Sequence, residues 1–263
     1  MAEGAAGSNT AATVERAADI LLLFANSPSP QLGVTEIANS VGMSKSAVHR
    51  ILSAFRSRSL LEFDPVSRKY ALGPACLGFG PKYLGTLDIR RVAADELASL
   101  SRETNETATL SVRVGDRRVY IDQVTPHREV LMSVQLGLAH PLHAGSSSKA
   151  FLAFLPPEEI DRYLAGNLES VTDRTVTDVD ELRKELEIIR ERGWSRSTGE
   201  RQPGSGSVAA PVFDRQRFPL AVVSVCGPAE RLSGEVEMCV GHLLAATARI
   251  SARLGFGLAG SSG

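Results

Sequence analysis

Residues 33–60 read GVTEIANSVGMSKSAVHRILSAFRSRSL, and their spacing decides what the first part of the chain is. Thr35 can cap a helix in which Ile37, Ala38 and Val41 form the buried side. Gly42 then stands where a tight turn needs positive φ. Ser44 can cap a second helix, whose apolar face is Ala47, Val48, Ile51, Leu52 and Phe55. A small residue at the crossing (Ala38), a glycine in the turn and apolar anchors at Val48 and Ile51 make a helix-turn-helix.

Upstream, TVERAADILLLFANS (13–27) predicts a helix with Val14, Ala17, Ala18, Leu21, Leu22 and Ala25 on one face, ended by Asn26-Ser27-Pro28. Downstream, LLEFDPVSRKYALG (60–73) predicts two short strands, 60–63 and 69–72, around Asp64-Pro65. That hairpin is a wing. The face opposite Val48 and Ile51 carries Lys45, Ser46, His49, Arg50 and Ser53, beginning at Ser44. Short polar and basic groups there suit base edges and phosphates of the major groove. Arg68 and Lys69 on the wing suit phosphate or minor-groove contact. From Ser44 to Tyr70 the basic residues are Lys45, Arg50, Arg56, Arg58, Arg68 and Lys69, opposed only by Glu62 and Asp64. A chain of net charge −1 thus has a local basic surface, and double-stranded DNA is the expected partner.

The rest of the composition narrows the class. Cys76, Cys226 and Cys239 lie far apart with no C-x-x-C, so neither a disulfide framework nor a zinc site is expected, as suits a cytoplasmic protein. No uncharged apolar run reaches membrane-spanning length, so no membrane partner is expected. Residues 1–12 lack the basic-then-apolar order of a signal peptide and, like the tail 256–263, read as flexible ends.

Beyond the DNA-binding domain (13–73), a Gly- and Pro-rich stretch opens a linker with a connecting helix (74–105). Ile89, Val92, Ala93, Leu97 and Leu100 form that helix's stripe and Asn105 can end it. The stripe fits either another subunit or its own domain. Residues 106–255 then alternate between strands and helices. ATLSVRVGDRRVYIDQV (108–124) is a hairpin around Gly115-Asp116, and EVLMSVQLG (129–137) reads as a third strand. Helices follow at SSSKAFLAFL, PEEIDRYLAG and DVDELRKELEIIRERG, then two strands, GSVAAPVFD and FPLAVVSVCG, and a final helix over 235–254. The fold class is α+β with a mostly antiparallel sheet.

Taken together, VERAADIL, the helix-turn-helix and wing, PLHAGSSSKAFLAF, STGERQPGSGSVAAPVFD and LAVVSVCGPAERL resemble the IclR family of bacterial transcription regulators from about Thr13 to Leu254. The resemblance implies a winged helix-turn-helix joined by a linker helix to a GAF-like effector-binding domain. It also implies a homodimer or homotetramer on a palindromic operator, most often as a repressor. The effector it implies is a small organic acid or an aromatic metabolite.

The residues make their own case for a ligand. A helix N-terminus offers free N–H groups and partial positive charge, a ready seat for a carboxylate. AGSSSKA (144–150) is such a terminus: Gly145 lets the chain come close, and Ser146 and Ser147 add hydroxyls. The resemblance places ligand contacts at Gly145, Ser146 and Ser147, and at Ser197, Ser205, Ser207, Ser224 and Cys226. Leu131 and Met132 would form an apolar wall. The chain departs from the family at Ser148, before Lys149-Ala150, where glycine is frequent, and at Ser197, where a carboxylate or other polar group is frequent.

Ser146 and Lys149 also spell S-x-x-K, the start of a serine-nucleophile signature, but S-D-N and K-T-G do not follow. GSGS (204–207) is not a hydrolase elbow, and His140 and His143 lack a third metal ligand at a recognisable spacing. No catalytic residue, metal site or cofactor is expected. Three readings stay open in this order: a ligand-responsive DNA-binding regulator, a regulator whose C-terminal domain only dimerises, and an S-x-x-K enzyme.

Overall fold

The computed structural model describes residues 3–79, Lys82 and residues 88–257. The chain divides into two compact units, Met1–Thr86 and Leu87–Gly263. Part of the Gly/Pro-rich boundary and residues 258–263 of the tail lie outside the described residues.

The first unit holds α1 (Glu3–Asn26), α2 (Val34–Val41), α3 (Lys45–Ser57) and the hairpin β1 (Leu61–Asp64) and β2 (Lys69–Leu72). Residues 3–12, expected to be a flexible end, are helical, so α1 begins ten residues before Thr13. Four alanines there, at 5, 6, 11 and 12, carry the highest helix propensity. The buried stripe of α1 is also rotated from the expected one. Ile20 and Phe24 are buried, with Ala17, Leu21 and Leu23 against them, while Val14 and Leu22 stand exposed. The run Ile20–Phe24 is apolar all round, and packing on α2 selects which side is covered.

Gly33, not Thr35, caps α2: its N–H donates to Glu36 Oε2 at 2.6 Å. Glu36 is held below the usual carboxylate range by that bond first and by Lys69 second. Gly42 ends α2 at φ 64°, a left-handed conformation that a side chain would strain. Ser44 caps α3 by accepting from the Ala47 N–H at 3.3 Å. The anchors Ile37, Ala38, Val48, Ile51 and Leu52 are buried together with Leu61 and Tyr70 of the wing. Leu32 pairs with Tyr70 through two 2.9 Å backbone bonds, so the wing is fastened to the chain before α2.

The second unit is a six-stranded antiparallel sheet between two helical layers. In chain order it runs α4 (Asp88–Thr104), β3 (Thr107–Val114), β4 (Arg117–Val124), β5 (Ala139–Pro141), α5 (Ser146–Ala153), α6 (Pro157–Leu164), α7 (Val179–Arg192), β6 (Ser195–Thr198), β7 (Ser205–Phe213), β8 (Pro219–Pro228) and α8 (Ala229–Arg253). The strand order is β5-β4-β3-β8-β7-β6. The connecting helix α4 packs within this unit, on α8 and β3, and Arg249 and Arg253 of α8 both bond Glu96 of α4. Asn105 follows it at φ 52°. Helices α5–α7 pack on the other face, their core continuous with Ala209 and Val222.

Several elements differ from expectation: residues 139–141 form β5, a strand that the sequence pattern does not predict, and α8 starts at Ala229, six residues before 235. Residues 195–198 form a strand, β6, where the sequence pattern predicts none. Residues 129–137 form no strand. Their backbone is met by side chains instead: Gln123 Nε2 donates to the Val134 carbonyl at 3.0 Å and its Oε1 accepts from the Val134 N–H at 2.9 Å, while Thr107 Oγ1 donates to the Met132 carbonyl. Gln123 can do this because β4 carries a bulge. Leu110 pairs with Asp122 and Ser111 with Tyr120, leaving Ile121 as an extra residue. Past the bulge the alternation inverts. Arg118 and Tyr120 share one face, Asp122 turns to the α4 side to meet Arg90 at 2.9 Å, and Gln123 arrives on the α5 side.

Candidate functional site

The residues expected to meet DNA lie on α3 and the wing. Ser44, Lys45, Ser46, His49, Arg50 and Ser53 are exposed. Lys45 and His49 share a groove with Glu36 at the start of α2 and with Phe63 and residues 67–69 of the wing. Arg68 is exposed at φ 55° in the turn between β1 and β2 and makes no ion pair among the described residues. Lys69 differs from it: half-buried, its Nζ lies 3.5 Å from Glu36 Oε1. Asp64 shapes the turn by accepting from the Val66 N–H at 2.8 Å and the Ser67 hydroxyl at 2.7 Å. Burying Val48, Ile51 and Leu52 leaves the polar residues of α3 no orientation but outward.

The second site is a pocket between the α5 side of the sheet and the start of α5. Eight of the ten residues expected there line it: Met132, Gly145, Ser146, Ser147, Ser197, Ser205, Ser207 and Cys226. Leu131 does not, because its segment is no strand and Met132 and Ser133 supply that wall. Ser224 does not either: it lies beneath the pocket, bonded at 2.6 Å to Thr109 on the neighbouring strand.

Gly145 stands at φ 88°, open to glycine alone without strain, and turns the chain into α5. Its N–H donates to Glu200 Oε2 at 3.2 Å. The next three N–H groups, of Ser146, Ser147 and Ser148, find no acceptor among the described residues. These are the orphan donors of a helix start, and Ser146 and Ser147 line the pocket. Ser146 Oγ donates to Ser207 Oγ at 2.7 Å, and Ser195 Oγ donates to the Ser146 carbonyl, tying α5 to β7 and β6. Lys149 Nζ is clasped at 2.6 Å by both Glu185 and Glu200, only 1% of its side chain exposed. Both of its bonds go to these carboxylates and none to Ser146.

Five lining residues are not among those expected from the sequence: Arg118, Tyr120, Ser133, Arg201 and Gly206. Arg118 is 1% exposed, its guanidinium carbon 4.1 Å from the Tyr120 ring centroid. Its Nε donates to Ser148 Oγ at 2.9 Å, which gives that unusual serine a task. Burial lowers the Arg118 pKa from its ordinary value. The Arg201 guanidinium carbon lies 5.7 Å from the centroid of the same ring. Burial pushes the Cys226 thiol up to about 12, so it is no nucleophile near neutral pH.

The histidines are not paired for metal. His143 bonds Tyr163 Oη at 2.8 Å and the Glu169 carbonyl at 2.9 Å. His140 packs edge-on against Tyr120, with burial first and the charges of Arg118, Arg201 and Arg117 next holding it down to about 3. Among the described residues no three His, Cys, Asp or Glu side chains are gathered as metal ligands would be.

Residues 13–65 match the family model described as the IclR helix-turn-helix domain, and residues 81–252 match that of the bacterial transcriptional regulator IclR C-terminal domain. The chain belongs to the IclR family. It is 32% identical over 216 residues to the HTH-type transcriptional regulator KipR of Bacillus subtilis, covering 82% of this chain and 85% of that protein. The crystal structure of an IclR transcriptional regulator from Alicyclobacillus acidocaldarius superposes with a TM-score of 0.80 at 32% identity, over 91% of this chain and 97% of that one. An IclR homologue of Microbacterium hydrocarbonoxydans, solved with 4-hydroxybenzoate, shares the fold: TM-score 0.76, 23% identity, 92% and 99% covered. This IclR-family chain is therefore a DNA-binding transcriptional regulator, not an enzyme. Among the described residues no helix is long and apolar enough to cross a membrane.

Proposed function

We propose that the protein is a repressor in the cytoplasm, bound as a dimer or dimer of dimers to operator DNA and controlled by a small organic acid or aromatic metabolite in the α5 pocket. The observation that carries the ligand half is the start of α5, where Ser146 and Ser147, with unpaired N–H groups and hydroxyls, line one hollow. The DNA half rests on the outward row of α3 with Arg68 beside it. Ser44, Lys45, Ser46, His49, Arg50 and Ser53 read the major groove, while Arg68 and Lys69 meet the flanking backbone. The effector acts by binding two arrangements of the DNA-binding units with different affinity.

The test separates the two halves. Ser146→Leu places a bulky side chain in the pocket wall and is expected to abolish effector-dependent change in a gel shift while sparing operator affinity. Arg50→Ala is expected to weaken operator binding by about tenfold or more at fixed salt, in keeping with the ~1–3 kcal/mol of a base-reading arginine. A normal effector response in the first variant, or unchanged affinity in the second, overturns the matching assignment.

A further inference from the structure

We infer that the α5 pocket selects a small dianion, its two negative charges set against Arg118 and Arg201. This deepens, and rests on, the reading of that pocket as the effector site.

A buried guanidinium is ordinarily paired with a carboxylate or fully hydrogen-bonded. Arg118 is neither. One terminal nitrogen, Nη1, is fully buried without a hydrogen-bond partner, and the residue makes no ion pair among the described residues. Its Nε reaches only the neutral hydroxyl of Ser148. Arg201 lines the same pocket, also without an ion pair among the described residues, and the two guanidiniums share one aromatic ring, Tyr120. Arginine keeps its charge in proteins, so the wall carries two positive charges. No Asp or Glu lines the pocket to answer them.

The acids that could have answered are turned elsewhere. Asp122 lies on the same strand as Arg118, but the bulge at Ile121 swings it to the opposite face, where Arg90 holds it at 2.9 Å. Glu200, next to Arg201 in sequence, is taken by Lys149 at 2.6 Å and by the Gly145 N–H. The start of α5 adds further positive potential. A monoanion leaves one of the two arginines unanswered; a ligand with two negative charges, on two carboxylates or on one phosphate group, answers both.

Isothermal titration of the full chain at pH 8 tests this with malonate, succinate and glutarate, each against its monoamide, together with 4-hydroxybenzoate and inorganic phosphate. At least one diacid is expected to bind about tenfold or more tighter than its own monoamide, and tighter than 4-hydroxybenzoate. Arg201→Gln, at a half-buried position, is expected to erase that preference, and Ser197→Asp, which places an acid in the wall, to abolish diacid binding. Tight phosphate with weak diacids supports the dianion and assigns it to a phosphate group. Equal affinity of diacid and monoamide, or a preference that survives Arg201→Gln, overturns the inference while the effector site stands. If no anion binds, the inference falls with that site.

Discussion

His140 faces Arg118 across the β4–β5 ladder, and the pair makes the domain sensitive to acid. Folded His140 takes up a proton only near pH 3, because the site is buried and three arginines surround it. In the unfolded chain a histidine titrates near 6.5. Between those values the unfolded state binds the extra proton. Stability from this group is therefore complete above about pH 6.5 and falls as pH drops toward 3. The loss amounts to roughly a few kcal/mol at the acid limit, at about 1.4 kcal/mol per pH unit. His140→Phe keeps the ring against Tyr120 and removes the proton site. Its thermal midpoint is expected to vary less than that of the wild type between pH 6.5 and 4; an unchanged slope contradicts this account of His140.

At the scale of elements, α5 depends on what grips its flank. Lys149 joins it to Glu185 of α7 and to Glu200, and Glu200 in turn orients Gly145 and accepts from Thr172 and Thr175 through its carbonyl. Lys149→Met keeps the length but leaves Glu200 buried without its cation. The expected cost is about 3–5 kcal/mol in chemical denaturation of the full chain; a loss below about 1 kcal/mol contradicts the clasp. The helix-turn-helix was legible in the sequence because local features fix it: Gly42, the Ser44 cap and the period of Val48, Ile51 and Leu52. Ser146 and Ser147 were legible for the same reason, lying at a recognisable helix start, whereas Ser197, Ser205 and Ser207, on β6 and β7, came only from the family resemblance. Arg118 was not. RRVYIDQV alternates, but which side faces the pocket depends on an unpaired residue that only the β3–β4 register reveals. The failure at 129–137 has the same root. Leu131, Met132 and Val134 look like strand residues, but the inverted phase of β4 puts a Gln123 side chain where a backbone ladder was expected.

Taken whole, the molecule keeps exposed cations on α3 and the wing although its net charge is −1. Operator affinity is therefore expected to fall as salt rises. Lys45→Ala is expected to flatten the logarithmic salt slope by about 1 for each phosphate that a protomer no longer neutralises. An unaltered slope means that Lys45 neutralises no phosphate. The mooring of 131–135 by Gln123 and Thr107 has a consequence in time. Two side chains can let go without tearing a sheet, so this wall of the pocket can open on its own, far below the free energy of global unfolding. Deuterium uptake at residues 131–136 is expected to outpace that of β3 and β8, and to slow once a ligand fills the pocket. How long a signal molecule stays bound would then be set by two side chains, Gln123 and Thr107, rather than by the body of the fold.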